Sequence, residues 1–123
     1  MSAPPGRALH TIAAQLLGLL EDYDNDVARM VRNWPDDAQF QRVWGHVEHI
    51  RLYSAAVPQA RVQATSVLIA HTEIVRLLCR SQSRYETGMG RDIADARANH
   101  RECLAALRYR LQWVMNGAAA SAN

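Results

Sequence analysis

Apolar residues recur every three or four positions through nearly the whole chain, and charged residues fill the gaps between them. Because an α-helix has about 3.6 residues per turn, this spacing places each apolar set on one face of a helix. A helix with one apolar face must bury it against another element, so the pattern predicts an all-α bundle. The four series are Leu9, Ile12, Leu16, Leu20, Tyr23, Val27 and Met30; Phe40, Val43, Val47 and Ile50; Val67, His71, Ile74, Leu78 and Tyr85; and Ile93, His100, Leu104, Leu107, Leu111 and Val114.

Prolines and glycines divide the chain into four predicted helices, at about 7–33, 35–57, 58–84 and 91–116. Pro35 and Pro58 suit the first turn of a helix and disfavour helix just before them. A loop is expected at 87–90, and Gly117 suits a helix C-terminus. Short connections favour antiparallel neighbours, so we expect a four-helix antiparallel up-down bundle. The alternative has three helices, with the second kinked at Pro58. Residues 7–116 would form one domain, and 1–6 and 117–123 would be flexible tails.

Composition narrows the class of protein. The 123 residues suit one domain that needs no disulfide or metal to fold. The net charge of +2 argues against nucleic acid as a partner. No apolar run approaches the roughly 20 residues that span a bilayer, so no membrane segment is expected. Cys79 and Cys103 have no metal-binding spacing and are expected to be small buried or half-buried apolar residues. We expect a cytoplasmic protein with reduced thiols.

Five histidines raise the question of a metal site. Helical bundles that bind two metals use Glu-x-x-His pairs, and no glutamate of this chain has a histidine three residues later. If the hairpin between the third and fourth helices is centred near Gly88, His71 lies opposite about Ala105 rather than His100. We therefore expect no metal and no cofactor, with the histidines hydrogen-bonded in the core or at its rim.

The segment 21–26 has alternating acids, like the start of a calcium-binding loop. Val27 stands where that loop needs glycine, and Asn33 where it needs glutamate. The acids are therefore expected to form a solvated helix face. The sequence also lacks the motifs of a catalytic nucleophile with its base, so it predicts no catalytic residues and no enzyme.

The strongest functional signal lies on the fourth helix. Tyr109 and Trp113 lie about 140° and 180° around the helix from Leu104, opposite the core, with Ala106 beside them. Ile69 is similarly misplaced on the third helix, near arginines at its back. Exposed aromatics beside arginine are typical of protein interfaces. The candidate interface residues are Tyr109, Trp113, Ala106, Ile69, Arg76 and Arg80. They indicate a non-enzymatic interaction protein, which is a homodimer or an adaptor, regulator or chaperone.

Two other interpretations remain open. Arg76, Arg80 and Arg84 form a stripe that could bind phosphates, although solvated charge paired with Glu73 explains it more simply. The alternative function is a sensory or ligand-binding bundle, with a small molecule held between the helices near His71, His100, Tyr23 and Tyr85.

Overall fold

The computed structural model describes residues 5–83 and 89–121, and within them the chain is an all-α bundle. Its helices are α1 (Pro5–Arg32), α2 (Asp37–Ala55), α3 (Arg61–Ser83) and α4 (Met89–Ser121). A 3₁₀ turn, Pro58–Ala60, leads directly into α3. Pro58 therefore separates two helices, and the alternative with one long kinked helix is wrong. Thr87, Gly88, Arg84 and Tyr85 lie outside the described residues.

The start of α2 differs from the prediction in its mechanism. The side chain of Asp36 accepts a hydrogen bond from the backbone N–H of Gln39 at 3.1 Å, so Asp36 is the N-cap. Pro35 consequently lies before the cap, and the prediction that it lies in the first turn is wrong. An aspartate in this position satisfies one of the N–H groups that the first turn leaves without a partner.

The helix ends also differ from the predicted boundaries. The first helix begins at Pro5 instead of Arg7, and α4 begins at Met89, so Gly90 is helical. At the other end, α4 passes through Gly117 to Ser121, and the predicted end at Asn116 is wrong. The alanines that follow Gly117 are the best helix formers, and one glycine weakens a helix by only about 1 kcal/mol.

The predicted apolar faces form the core. The completely or almost completely buried members are Leu16, Leu20, Tyr23, Val27, Met30, Val43, Val47, Ile50, Val67, Ile74, Leu78, His100, Leu104, Leu107, Leu111 and Val114. Leu9, Ile12, Phe40 and Ile93 are partly buried against them. The expectation for the cysteines holds for Cys103, which is half-buried, and fails for Cys79, which is exposed.

The helices do not all pack equally. The first helix packs along both α2 and α4, and α4 packs along both α1 and α3, whereas α2 and α3 touch much less. Gln59 contacts Arg110, and His71 contacts His100, so residue numbers rise along one helix as they fall along the other. The helices α3 and α4 therefore run in opposite directions. The up-down arrangement of all four helices stays a prediction.

One described segment, Pro58–Gln82, is long and apolar enough to cross a membrane by length and composition alone. Its Val67, Ile74 and Leu78 are buried in the bundle core. Core helices of this kind pass the same test, so the segment by itself is weak support for a membrane location.

Candidate functional site

Two features of the bundle could carry function, and the first is a solvent-facing surface on α4. Tyr109 is 74% exposed and Trp113 is 53% exposed. Leu107 and Leu111, on the opposite side of the helix, are completely buried. The predicted exposure of both aromatic side chains is therefore confirmed.

Arg110 holds the Trp113 side chain in place. Its guanidinium carbon lies 4.0 Å from the centroid of the Trp113 ring. Its Nε donates a hydrogen bond to the backbone oxygen of Gln59 at 2.9 Å, which anchors the guanidinium on the turn before α3. A cation stacked on an exposed indole stabilises by about 0.5–1 kcal/mol. This contact was not predicted from the sequence, although the spacing of three between Arg110 and Trp113 is a usable signal.

Apolar side chains are also exposed on α3, which packs along α4. Ile69 is 66% exposed, as predicted, and Val62, which the sequence analysis missed, is 73% exposed. Their separation of seven residues places both on the same side of α3. The Gln59–Arg110 contact brings the turn before α3 beside the part of α4 that carries Tyr109 and Trp113, and Ala106, one turn before Arg110, is exposed. We call this surface the α3–α4 face, defined by Val62, Ile69, Ala106, Tyr109 and Trp113.

Further along the same two helices, charged residues replace apolar ones. Arg76 donates two hydrogen bonds to Glu73, at 2.9 Å and 2.6 Å, so it is paired within its own helix. The residues Glu73, Arg76, Leu77, Arg80, Asp92, Asp95 and Ala96 line a shallow groove between α3 and α4. Arg76 and Arg80, two of the predicted interface residues, thus lie among acids of both helices. The third arginine of the stripe, Arg84, lies outside the described residues.

The second feature is a polar cluster in the core. The Tyr23 hydroxyl lies 2.8 Å from Nδ1 of His71 and 2.8 Å from Nε2 of His100. All three side chains are buried, with Tyr23 and His100 completely inaccessible to solvent. The cluster joins α1, α3 and α4. The expectation that histidines are hydrogen-bonded in the core holds for these two.

The contacts of Arg97 determine where the protons of this cluster lie. Arg97 Nη1 is 2.7 Å from Nδ1 of His100, and a guanidinium can only donate, so this nitrogen accepts. His100 must therefore carry its proton on Nε2 and donate it to the Tyr23 oxygen. Tyr23 in turn donates its own proton to Nδ1 of His71. The other end of Arg97 is held by Asp24, whose Oδ1 lies 2.6 Å from Nη2.

Burial and charge shift the pKa values in the same direction as this arrangement requires. Burial lowers the pKa of His71 to about 4. Burial, and then the positive charge of Arg97, lowers the pKa of His100 to about 3. Burial also raises the pKa of Tyr23 above its usual value. All three side chains are consequently neutral at pH 7.

Bringing His71 and His100 together contradicts the sequence analysis. Their ring centroids are 6.4 Å apart, so the prediction that His71 faces Ala105 instead of His100 is wrong. The pairing of α3 with α4 is therefore centred at a lower residue number than Gly88, which the prediction took as the centre. Tyr23, His71 and His100 are the residues suggested for a small-molecule site, and here both histidines are hydrogen-bonded to Tyr23. Tyr85, the fourth, lies outside the described residues.

The acids of α1 are also not the solvated face that we predicted. Asp26 is only 6% exposed, and its Oδ2 lies 2.7 Å from Nε2 of His46 on α2. Asp24 is half-buried between Arg97 and Arg108 of α4. Burial would raise the pKa of Asp24, but the hydrogen bond and the charge of Arg97, aided by Arg108, outweigh burial and lower it. These two acids connect helices, and only the neighbouring Glu21 and Asp22 face solvent.

In residues 5–83 and 89–121, no three or more histidine, cysteine, aspartate or glutamate side chains come together to hold a metal ion. Comparison of the chain with models of protein families, with curated proteins and with solved structures finds no match. Function therefore has to be inferred from the residues themselves.

Proposed function

We propose that this chain is a non-enzymatic interaction protein that forms a homodimer through the α3–α4 face. The main support is the pair of exposed aromatic side chains on α4, Tyr109 and Trp113, one turn apart on the side away from the core. Aromatic residues at the centre of a contact supply much of the binding energy of protein interfaces, and arginine is enriched beside them. Arg110 reduces the conformational entropy that Trp113 would lose on binding, since the ring is already packed on one side.

The charges favour a second copy of the chain as the partner. The groove that continues the α3–α4 face has Arg76 and Arg80 on α3 and Asp92 and Asp95 on α4. In a two-fold symmetric contact the same surface meets itself, so a surface with both signs of charge can pair with its own copy. A partner of strongly one-sided charge would fit such a surface less well.

The alternative function, binding of a small molecule between the helices, has weaker support. Ligand sites are cavities in which a few polar groups converge on the ligand. Tyr23, His71 and His100 do converge, but the Tyr23 hydroxyl, both nitrogens of His100 and Nδ1 of His71 are engaged with each other and with Arg97. A cytoplasmic location remains part of the proposal.

The test compares two tryptophan substitutions by light scattering and circular dichroism. Trp113→Glu would put two like charges in an apolar contact, one from each copy, so it should convert a wild-type dimer to a folded monomer. Trp44→Glu is the matched control, because Trp44 is 47% exposed on α2 and lies off the α3–α4 face. This variant should remain dimeric.

Two results would count against the homodimer. The first is a wild-type chain that is monomeric at every concentration up to about 1 mM. A Kd above about 1 mM corresponds to a binding free energy of less than about 4 kcal/mol. The second is dissociation by Trp44→Glu with Trp113→Glu still dimeric, which would place the contact on α2. Loss of helical signal in Trp113→Glu would show that the ring supports the bundle itself.

A further inference from the structure

The hydrogen bonds around Tyr23 have a single workable proton arrangement. They run from Arg97 to His100, from His100 to Tyr23 and from Tyr23 to His71, each group donating to the next. This series of hydrogen bonds starts at Asp24, whose carboxylate holds the donor Arg97 in place. Because Arg97 can only donate, it fixes the role of Nδ1 of His100, and the roles of Nε2 of His100 and Nδ1 of His71 follow from it.

A further proton on either imidazole breaks this arrangement. On Nδ1 of His100 it would point at an N–H of Arg97, so two donors would face each other at 2.7 Å. On Nδ1 of His71 it would point at the Tyr23 hydroxyl, which already accepts from His100. The hydroxyl proton would then lose its acceptor inside the core, where an unsatisfied donor is costly.

The surrounding charges do not stabilise an added proton. From α4, Arg97 faces His100 directly, and its positive charge repels a second one. From α1, Asp24 is attractive, but it is already engaged by Arg97 and Arg108. From α3, His71 itself repels a charged His100.

The second helix, which packs on α1, directs its half-buried His46 at Asp26 and not at this cluster. Both imidazoles must therefore stay neutral while α1, α3 and α4 are closed around them.

We propose that Tyr23, His71 and His100 form an acid-sensitive switch, which holds α1, α3 and α4 together when both histidines are neutral and opens the bundle when they gain protons. The switch is independent of the proposed dimer, because all three side chains lie in the core of one chain. Buried histidines that must be neutral in one state and can be charged in another are a common basis of pH responses in proteins.

The direction of the pH dependence follows from the pKa values of the two histidines in the closed and open states. In the closed bundle the pKa is about 4 for His71 and about 3 for His100, against an ordinary value of 6.5. The open chain therefore binds protons that the closed chain excludes as the pH falls below 6.5. Each histidine shifts the equilibrium towards the open chain by up to about tenfold per pH unit, so the pair contributes nearly a hundredfold. The contribution of the two neutral histidines to the stability of the closed bundle should be complete above pH 6.5 and lost progressively towards pH 4.

The test measures the equilibrium constant of urea unfolding from pH 7.5 to pH 5, above the range in which most carboxylates titrate. His71→Asn is the decisive variant, since the amide oxygen of asparagine can replace Nδ1 as an acceptor but takes up no proton. Below pH 6.5 it should remove up to about a tenfold change per pH unit from the wild-type response. His49→Gln is the matched control, because His49 is exposed on α2, and its response should equal that of the wild type.

A His71→Asn variant with the full wild-type pH response would overturn the proposal. If this variant fails to fold, nuclear magnetic resonance of the wild-type chain decides instead. At pH 5.5 both buried imidazoles should be neutral with the proton on Nε2. A folded chain in which His71 or His100 is half-protonated near pH 6.5 would also overturn it.

Discussion

The Nε2 atom of His46 lies 2.7 Å from Oδ2 of Asp26, and this contact fixes α2 against α1. Gln39 strengthens the junction, because its amide nitrogen donates to the same aspartate at 3.3 Å. Asp26 is almost completely buried, so its carboxylate depends on these partners for the hydrogen bonds that water would otherwise provide.

Asp26→Ala should therefore destabilise the bundle. Removing the carboxylate leaves His46 without its acceptor, at a cost of about 1–3 kcal/mol in the free energy of unfolding, while Gln39 keeps only its bond to the backbone oxygen of residue 26. Urea denaturation at pH 7 measures this. The control is Asp22→Ala on the exposed side of the same helix, which should change stability by less than about 0.5 kcal/mol. Equal effects of the two substitutions would mean that the contact with His46 contributes nothing.

Tyr23→Phe should destabilise the bundle, although it removes only one oxygen atom. His100 would lose the acceptor for its Nε2 proton and His71 the donor to its Nδ1, both inside the core. Each unsatisfied group costs about 1–3 kcal/mol. Tyr53→Phe, at a half-buried tyrosine of α2, is the control and should have a much smaller effect on the denaturation midpoint. A Tyr23→Phe variant as stable as the wild type would be inconsistent with the hydrogen bonds described above.

The core of α4 can be tested with Leu107→Ala. Leu107 is completely buried, so truncation should leave a cavity and lower the free energy of unfolding by about 2–5 kcal/mol. Leu52→Ala, at a leucine that is 68% exposed, should have an effect below about 0.5 kcal/mol. Thermal and urea unfolding followed by circular dichroism would measure both. Reversal of this order would mean that the wrong side of α4 has been placed in the core.

Arg110→Met tests the support of Trp113 without removing much volume. Loss of the stacked cation should weaken the proposed dimer by about 0.5–1 kcal/mol, or roughly two- to fivefold in Kd. Sedimentation at several concentrations measures that change. Arg42→Met, at an exposed arginine of α2, should leave the Kd as it is. A Kd that responds to Arg42→Met but not to Arg110→Met would place the dimer contact elsewhere.

The sequence was sufficient to predict which side of each helix is buried. Leu107 and Trp113 are six residues apart on one helix, and the helix repeat alone separates the buried one from the exposed one. The exposure of the α3–α4 face was therefore predictable, whereas its role in binding another chain remains a proposal.

What the sequence could not provide is the register between helices. Whether His71 meets His100 depends on where α3 ends and α4 begins, and a shift of two or three residues moves a side chain by about one helical turn. The same uncertainty concealed the partners of Asp24 and Asp26, which look like surface acids until α2 and α4 are placed beside them. Propensity also misplaced the end of α4, since Gly117 is a common helix terminator that this helix includes.

The packing of α1 along α4 joins the first helix of the bundle to the last. Tyr23 and His100, in direct contact, are separated by 77 positions in the chain. During synthesis α1, α2 and α3 emerge before the helix that completes their core, and the part of α1 that packs on α4 stays uncovered until α4 follows. The nascent chain therefore has to avoid aggregation with part of the apolar side of α1 exposed, and the core is complete only once α4 has been added.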